Sequence, residues 1–371
     1  MCHARRLQLW TCCLLLLTLG SVRAEDRLTG VVYRDADLDG KYDAGDKPLA
    51  GVCLSDGEQV VVTDGSGRYR LARTDEPLLV RLSVPNGYWP TDGQWFRRVA
   101  ADAVGPVDFP LRDQAQPATW RLVQVTDIHY MPSAAELIRA FVGQVDALRP
   151  RPALIVATGD LVMDSNNEAS DEAVSTLFAG YLAATAGLSA PLLNVPGNHD
   201  HPGLSGSLAP TDALYCVRGF ETLVGPAWYS LNYGGVHLVA LDATNVGYGD
   251  GLSDRCGRWL RRDLLTVPTP TPLLVFCHQP PSGWDTNGRL ASLLSHRRIL
   301  ALGHGHLHSV QQYQWAGIPT FEAGALSGSW WRGPGVDGNP RGFRVMEVSP
   351  SGVTSTFVPA EGADRVPAEG G

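Results

Sequence analysis

Five short apolar segments of this chain are each followed by residues that commonly bind metal ions. The segments lie at 122–125, 154–157, 192–195, 273–276 and 299–302. The side chains that follow them are Asp127 and His129, Asp160, Asn198 with His199 and Asp200, His278, and finally His304, His306 and His308. Apolar residues at helical spacing between the first segments predict strands that alternate with helices, as in a layered α/β domain. Because the carboxyl ends of such strands share one edge of the sheet, we expect these side chains to meet there.

The combination of His, Asp and Asn predicts a site for divalent transition metals. Neutral imidazoles and carboxylates suit zinc, iron, manganese or cobalt. One Asp can bridge two ions that lie about 3.5–4 Å apart, as in two-metal hydrolases. Each piece alone is common, because a Gly-Asp pair after a strand is usually a turn or a helix cap. It is the complete ordered series that predicts a metal site.

The ordered series resembles the motifs of the calcineurin-like metallophosphoesterase superfamily, which run Asp-x-His, Gly-Asp, Gly-Asn-His-Asp/Glu, His and Gly-His-x-His. The resemblance covers residues 120–345 and implies a four-layer α/β sandwich with two divalent ions of zinc, manganese or iron. It implies seven metal ligands, which are Asp127, His129, Asp160, Asn198, His278, His306 and His308. Asp160 would bridge the ions, and His199 would protonate the leaving oxygen. Asp200 is expected to be catalytic together with His199, and the sequence does not decide whether Asp200 or the alternative, Asp164, orients the His199 ring.

The last motif fits the sequence in two registers. One register uses His304 and His306, and the strand before the motif matches it slightly better. The other uses His306 and His308, and the distance onward to the predicted hairpin at 317–318 favours it. We prefer the second register, with His304 as a neighbour of the ligands. His306 is a ligand in both.

Residues 25–116 have the pattern of a separate all-β domain. Short runs of β-forming residues between 31 and 84 lie among Asp-Gly and Asn-Gly turn signals. The 41 glycines and 26 prolines of the whole chain also favour many turns and short elements. This spacing suits a small β-sandwich. The polar segment 112–117 predicts a linker, so we place the second domain at 117–371.

An acidic loop in the first domain has the spacing of a calcium-binding loop. Carboxylates fall at alternating positions around a central glycine, and a last carboxylate closes the loop. The five residues are Asp35, Asp37, Asp39, Asp43 and Asp46. Because Asp is shorter than the usual Glu at the last position, a solvated acidic turn is the alternative. With the sequence that follows, the loop resembles the calcium-binding B-type repeats of bacterial adhesins and the prealbumin-like modules that precede some exported phosphoesterases.

The first 24 residues have the three-part pattern of a secretory signal peptide. Arg5 and Arg6 precede an apolar run at 7–19, and a small-x-small cleavage site follows at 22–24. The run is shorter than the ~20 residues that a membrane span needs. No later stretch is long enough to span a bilayer. We therefore expect a periplasmic or secreted protein without a transmembrane segment after signal removal, and an uncleaved N-terminal anchor is the alternative.

Signal removal changes the charge and the cysteine content of the chain. The full chain carries a formal charge of -8, and the loss of three arginines makes it more acidic still. An acidic balance argues against nucleic acid as a partner, because phosphate backbones are bound by an excess of Lys and Arg. Among the remaining cysteines, Cys216 and Cys256 both lie in loop-like sequence and are candidates for one disulfide bridge.

Together these patterns predict an exported, metal-dependent phosphoesterase. A hydroxide activated by the two ions would attack phosphorus in line, and His199 would act as general acid. The expected substrate is a phosphate mono- or diester, either a small molecule or part of the cell envelope. Two alternatives stay open: a pyrophosphatase or nucleotidase that cleaves a phosphoanhydride, and a non-catalytic surface or adhesion protein with a vestigial metal site. The aromatic and arginine residues at 330–332 are candidates for a substrate pocket or a packed lid.

Overall fold

The computed structural model describes residues 27–245, 249–327 and 338–361. The expected signal peptide at 1–24 and the expected pocket or lid segment at 330–332 lie outside the described residues. Within these ranges the chain forms an N-terminal β unit and a larger α/β unit. None of the helices described in either unit is long and apolar enough to cross a membrane.

The N-terminal unit is a sandwich of two small sheets. Its strands are β1 (Arg27–Arg34), β2 (Lys47–Pro48), β3 (Cys53–Ser55), β4 (Val60–Val62), β5 (Arg68–Ala72), β6 (Leu78–Ser83), β7 (Tyr88–Pro90), β8 (Phe96–Val99) and β9 (Phe109–Asp113). One sheet has the order β2-β1-β9-β7, with β5 also paired to β1, and the other has the order β4-β3-β6-β8. Residues of β5 alternate between exposed and buried, so Tyr69 and Leu71 point into the core. The expected all-β sandwich is confirmed.

The α/β unit begins with strands and helices that alternate along the chain. Its helices are α1 (Ala135–Ala147), α2 (Asp171–Thr185), α3 (Val217–Leu223), α4 (Asp254–Thr266), α5 (Pro281–Trp284) and α6 (Arg289–Leu294). Its strands are β10 (Trp120–Val125), β11 (Leu154–Thr158), β12 (Leu192–Val195), β13 (Tyr229–Tyr233), β14 (Val236–Ala240), β15 (Thr244–Asn245), β16 (Gly249–Asp250), β17 (Pro272–Phe276), β18 (Arg298–His304), β19 (Val310–Trp315), β20 (Ile318–Ala323), β21 (Gly342–Ser349) and β22 (Gly352–Pro359).

Two sheets of the α/β unit pack face to face between helices. The first has the order β12-β11-β10-β21-β22 and the second the order β13-β14-β17-β18-β20-β19. Alternate residues of each strand serve different layers, because side chains in a strand point to opposite faces. Leu122 of the first sheet shares a buried cluster with Leu274 of the second. Its neighbour Val123 belongs to the cluster that contains Phe178 of α2 and Trp259 of α4. The expected four-layer α/β sandwich is confirmed.

The N-terminal unit contacts the α/β unit through β6 and β13. Asn232 N donates to Val84 O at 2.8 Å, and the hydroxyls of Ser83 and Ser230 lie 3.0 Å apart. Beside them Arg81, only 3% exposed, reaches across the interface. Its guanidinium donates to the backbone oxygen of Trp228 at 2.6 Å and to the carboxylate of Glu221 at 2.7 Å.

Candidate active site

The side chains predicted from the strand ends meet where the two sheets of the α/β unit meet. The loops after β10, β11 and β12 come from the first sheet, and the loops after β17 and β18 come from the second. The five strands therefore deliver their residues from the edges of two sheets, and not from the one edge that the sequence predicts. Asp127, His129 and His278 are each 0% exposed, so the cluster lies below the surface.

One group of possible ligands consists of Asp127, His129, Asp160 and His308. One ligand atom from each lies within 4.8 Å of the others. His308 Nε2 lies 2.9 Å from Asp127 Oδ1, and His129 Nε2 lies 3.3 Å from His308 Nε2. All four residues are buried. Imidazole nitrogens and carboxylate oxygens that converge in this way are the donor set of a divalent metal site.

A second group shares Asp160 with the first and adds His278 and His306. His278 Nε2 lies 3.1 Å from Asp160 Oδ2 and 3.3 Å from His306 Nδ1. Asp160 thus stands between the two groups, where a bridging carboxylate is needed. Asn198 Oδ1 is buried and has no hydrogen-bond partner within the described part of the chain. A buried amide oxygen without a partner is costly, and a cation would satisfy it.

The two registers of the last motif differ clearly in their surroundings. His306 and His308 lie in the two groups of possible ligands. His304 instead places Nε2 2.9 Å from the hydroxyl of Tyr313 and Nδ1 3.0 Å from Gly305 O. Both of its ring nitrogens are therefore engaged away from the cluster, and the structure favours the preferred register.

Five of the seven expected ligands have positive φ angles. The values are 50° at Asp127, 44° at His129, 51° at Asp160, 78° at His306 and 56° at His308. Non-glycine residues rarely adopt this left-handed conformation, and such residues concentrate at functional sites. The tight turns bring each side chain back over the end of its strand, toward the shared centre.

Glycines in three of the motifs are required by close packing against the ligands. A Cβ at Gly159 would lie 2.5 Å from the His278 ring, and one at Gly197 would lie 2.2 Å from Asp160 Oδ1. A Cβ at Gly305 would lie 1.8 Å from Thr126 Oγ1. The motif glycines therefore let the ligand loops approach one another.

The structure corrects the expected role of Asp200. Its carboxylate is buried and accepts hydrogen bonds from Leu161 N at 2.9 Å, Val162 N at 3.1 Å and Gly197 N at 2.8 Å. It therefore holds the loops together by their backbone and does not face the His199 ring. Asp164, the alternative, lies beside that ring, with Oδ1 3.2 Å from His199 Nδ1.

Charges in the cluster favour ionised carboxylates. Burial opposes the ionisation of Asp160, but the His278 ring outweighs it and holds the pKa of Asp160 below its usual value. Burial likewise disfavours the charged form of His278, but Asp160 raises the pKa of His278 to about 10. Burial lowers the pKa of His129 to about 4, so that ring is neutral at neutral pH. Metal ligation needs deprotonated donors. Asp160 and His129 already have that form, whereas His278 would release its proton when a cation binds.

Comparison with known proteins agrees with this geometry. Residues 121–310 match the family model described as calcineurin-like phosphoesterase. The chain belongs to the calcineurin-like phosphoesterase family. Ahead of that region, residues 36–112 match the model described as the N terminal of calcineurin-like phosphoesterase. The resemblance inferred from the motifs is therefore confirmed.

Curated relatives of this calcineurin-like phosphoesterase are phosphodiesterases. It is 27% identical over 220 residues to the 3',5'-cyclic adenosine monophosphate phosphodiesterase CpdA of Escherichia coli (strain K12), covering 53% of this chain and 72% of that protein. It is 28% identical over 205 residues to the probable glycerophosphodiester phosphodiesterase GpdQ of Arcobacter nitrofigilis, covering 49% and 66%. The purple acid phosphatase PPD1 of yellow lupin aligns with a TM-score of 0.44 at 12% identity, covering 87% of this chain and 65% of that chain. As a family member, the chain is a hydrolase of phosphoric esters.

Two buried carboxylates of this phosphoesterase were missed in the sequence. Asp242 follows β14 as Asp127 follows β10, so the strand-then-carboxylate pattern was present. Glu322 lies within β20, where no pattern marks it. Its carboxylate accepts hydrogen bonds from Ser309 N at 3.2 Å and Ser309 Oγ at 2.8 Å. Glu322 thereby holds the loop that carries His308.

The acidic loop brings together part of its predicted calcium set. Ligand oxygens of Asp35, Asp37 and Asp39 lie within 4.8 Å of one another. Asp43 and Asp46 are not part of this group, and they accept hydrogen bonds from backbone N–H groups of the same loop. Calcium binding therefore stays a prediction.

The candidate disulfide bridge between Cys216 and Cys256 is not formed in the structure. Cys216 and Cys256 are both buried free thiols. Cys256 lies within helix α4, and not in a loop as the sequence suggested. Both thiols are therefore part of the packed interior.

Proposed function

We propose that this protein is a metal-dependent phosphodiesterase. The observation that carries the proposal is the shared carboxylate of Asp160, which faces His129 of one ligand group and His278 of the other. Phosphodiesterase names among the relatives support a diester substrate over a monoester. Two divalent ions held by these groups would supply Lewis-acid charge to the phosphoryl oxygens and to an attacking water.

His199 is the proposed general acid. The His199 ring is 17% exposed, whereas the neighbouring ring of the ligand His129 is 0% exposed. The backbone N–H of His199 donates to Asp160 Oδ1 at 2.9 Å. Asp164 Oδ1 lies 3.2 Å from His199 Nδ1, and Nε2 lies on the side of the ligand cluster, 3.9 Å from Asp160 Oδ2. Nε2–H is then the proton that His199 gives to the leaving alkoxide. Asp164 stabilises the ring in this orientation.

Leaving-group dependence tests the proposal. Purified full-length protein loaded with manganese, zinc or iron would be assayed on bis(p-nitrophenyl) phosphate and on a glycerophosphodiester. We expect His199→Ala to lower kcat by about 10²–10⁴-fold on the alkyl diester. The loss should be much smaller on the nitrophenyl ester, because nitrophenolate leaves readily without a proton. His296→Ala, at an exposed histidine, is the matched control.

Results of these assays that differ from the expected ones would each favour a defined alternative. Hydrolysis of p-nitrophenyl phosphate alone would contradict the diester assignment, and hydrolysis of pyrophosphate or nucleotides alone would favour a phosphoanhydride substrate. Equal losses on both leaving groups would remove His199 from the role of general acid. A protein that binds metal fully and hydrolyses none of these compounds would contradict the proposed function.

We also propose that the protein is exported to the periplasm or cell exterior. The support is the charged, apolar and small-residue pattern at 1–24. Expression of the full chain in a bacterial host, followed by fractionation and mass spectrometry, tests it. The expected product is a periplasmic or secreted chain that begins at Glu25. A cytoplasmic chain with an intact N-terminus would contradict export.

A further inference from the structure

A buried His–Asp pair lies directly behind the loop that carries Asn198 and His199. His201 is 0% exposed and Asp242 is 5% exposed. His201 Nδ1 lies 2.8 Å from Gly197 O, and His201 Nε2 lies 3.2 Å from Asp242 Oδ2. Neither residue belongs to the predicted set of metal ligands.

The partners of His201 determine which of its atoms donate. A backbone carbonyl and a carboxylate both accept hydrogen bonds, so both ring nitrogens of His201 must donate. Burial alone would lower the pKa of His201, but Asp242 and the Gly197 carbonyl outweigh it, and the pKa is raised. Asp242 is itself held, because its Oδ1 accepts from Thr244 N at 2.9 Å. The ring is therefore fixed at both ends.

The carbonyl that His201 holds belongs to a peptide at the centre of the site. Gly197 N donates to Asp200 Oδ2 at 2.8 Å, and Gly197 O accepts from His201 Nδ1. Buried side chains therefore hold both polar groups of the Gly197 backbone. A Cβ at Gly197 would lie 2.2 Å from Asp160 Oδ1 and 2.9 Å from His278 Cδ2. A shift of this peptide would therefore displace the shared carboxylate, and it would move the following residues Asn198 and His199.

The pair also joins the two sheets that form the site. His201 follows β12 of the first sheet, and Asp242 follows β14 of the second. We infer that His201 and Asp242 are a positioning pair, which fixes the Gly197 peptide so that Asn198 can bind metal and His199 can face the substrate. The expected loss of kcat rests on the proposed function, whereas the expected loss of metal affinity does not.

A second buried pair in the same sheet is a matched control. His237 lies on β14, and its Nε2 is 3.0 Å from Asp263 Oδ2 on α4. Its Nδ1 lies 2.9 Å from Asn232 Oδ1. The pair has the same chemistry as His201 and Asp242 and is also buried. Its other side-chain hydrogen bonds in the described part of the chain go to Asn232 and Ser230, which do not belong to the metal-ligand loops. Its loss should reduce stability without changing the site.

The test compares metal affinity, kinetics and melting temperature across His201→Gln, Asp242→Asn, His237→Gln and Asp263→Asn. Manganese titration of the chelator-treated full chain gives the affinity without turnover. We expect His201→Gln and Asp242→Asn to weaken manganese binding by about 10–100-fold, as loss of supporting hydrogen bonds does at other metal sites. On the diester, kcat should fall at least tenfold while KM changes less than twofold. Asp242→Asn keeps the shape of the side chain and serves if His201→Gln does not fold.

The outcomes are distinct. The control variants should lower the melting temperature while manganese affinity and kcat stay at the wild-type values. Wild-type affinity and kcat in both His201→Gln and Asp242→Asn would overturn the inference, and so would equal losses in the control variants, which would show a general structural effect. If the wild-type protein hydrolyses no diester, the proposed function fails while manganese titration still decides the role of the pair.

Discussion

Hydrogen bonds between the metal-ligand loops fix several ligand residues in the left-handed backbone conformation. Each such non-glycine residue costs about 1–3 kcal/mol unless its surroundings fix it. His306 N donates to Asp127 Oδ2 at 3.0 Å, and His129 N donates to Asp160 O at 2.8 Å. Gly305 N donates to His278 O at 2.9 Å. Because each loop is held by another loop, a change at one contact should affect several ligands together.

We expect Gly305→Ala to lose metal binding and to reduce stability. The new Cβ would stand 1.8 Å from Thr126 Oγ1 and 2.5 Å from Asp127 Oδ2, so both must move. Overpacking of this kind costs about 1–3 kcal/mol. Metal analysis and denaturant unfolding measure the two effects. Gly283→Ala is the control, because nothing lies within 4 Å of a Cβ at Gly283. Full metal content in Gly305→Ala would contradict this account of the loop.

Glu322→Gln should remove a pH dependence of stability. Burial raises the pKa of Glu322 from 4.5 to about 7, so the folded chain retains a proton that the unfolded chain releases at lower pH. The stability from that proton is fully present below about pH 4.5 and is lost as pH rises through about 7. Gln cannot titrate, so wild type should lose stability relative to the variant over this range.

Denaturant unfolding of the chelator-treated protein at several pH values measures the Glu322 effect. Comparison of wild type with Glu322→Gln isolates this group from the other titrating residues. A difference in unfolding free energy that stays constant with pH would contradict the raised pKa.

At the scale of elements, the loop between β1 and β2 is shaped by its own carboxylates. Asp35 accepts hydrogen bonds from Leu38 N at 2.8 Å and Gly40 N at 3.1 Å. Asp46 closes the loop by accepting from Ala36 N at 2.9 Å. These bonds leave Asp37 and Asp39 on the exposed side, next to the buried Asp35. The loop is therefore folded in a form that three carboxylates could use to hold calcium.

Calcium should raise the melting temperature of the wild-type chain. A ligand at 100 times its Kd stabilises the folded state by about 2.7 kcal/mol. Asp39→Ala should abolish the rise, because Asp39 offers one of the three converging oxygens. Asp75→Ala removes an exposed carboxylate of the same unit outside the loop and should retain it. If millimolar calcium leaves the wild-type melting temperature unchanged, the loop is a solvated acidic turn.

For the whole molecule, the contact between the two units includes a buried arginine, Arg81. Arg81 lies 5.4 Å from the centre of the Trp228 ring, and its carboxylate partner Glu221 is 17% exposed. Trp228 Nε1 donates in the opposite direction, to Gly57 O of the N-terminal unit at 2.9 Å. The two units thus exchange hydrogen bonds across a packed aromatic face.

Glu221→Gln should lower the free energy of unfolding by about 1.5–3 kcal/mol, the range for hydrogen bonds to charged groups. The reason is that Arg81 would stay buried without its counter-charge. Glu58→Gln is the control at the same interface, because Glu58 and Arg258 are 43% and 51% exposed and such pairs contribute about 0–1 kcal/mol. Denaturant unfolding measures both. Equal losses would show that burial of Arg81 does not matter.

Much of this architecture could be predicted from local pattern. Buried strands and their following Asp, His and Asn residues are encoded within short segments, so the α/β layers and the ligand candidates followed from spacing. The sequence could not identify Asp164 rather than Asp200 as the carboxylate beside His199. Asp200 is adjacent to His199 in the chain, but its side chain points toward Leu161 N, whereas Asp164 points toward the His199 ring. His201 and Asp242 are 41 residues apart, and no local pattern joins them.

The sequence by itself determined the residue types, their order at the strand ends, and hence the family and its hydrolytic chemistry. Tertiary structure alone decided which histidine of the last motif faces the cluster, which Asp contacts His199, and why the motif glycines cannot carry a side chain. The physical reason is the separation along the chain over which each effect acts. Periodicity and turn chemistry act within a few residues, whereas convergence of ligands depends on how two sheets pack and where buried polar atoms find partners.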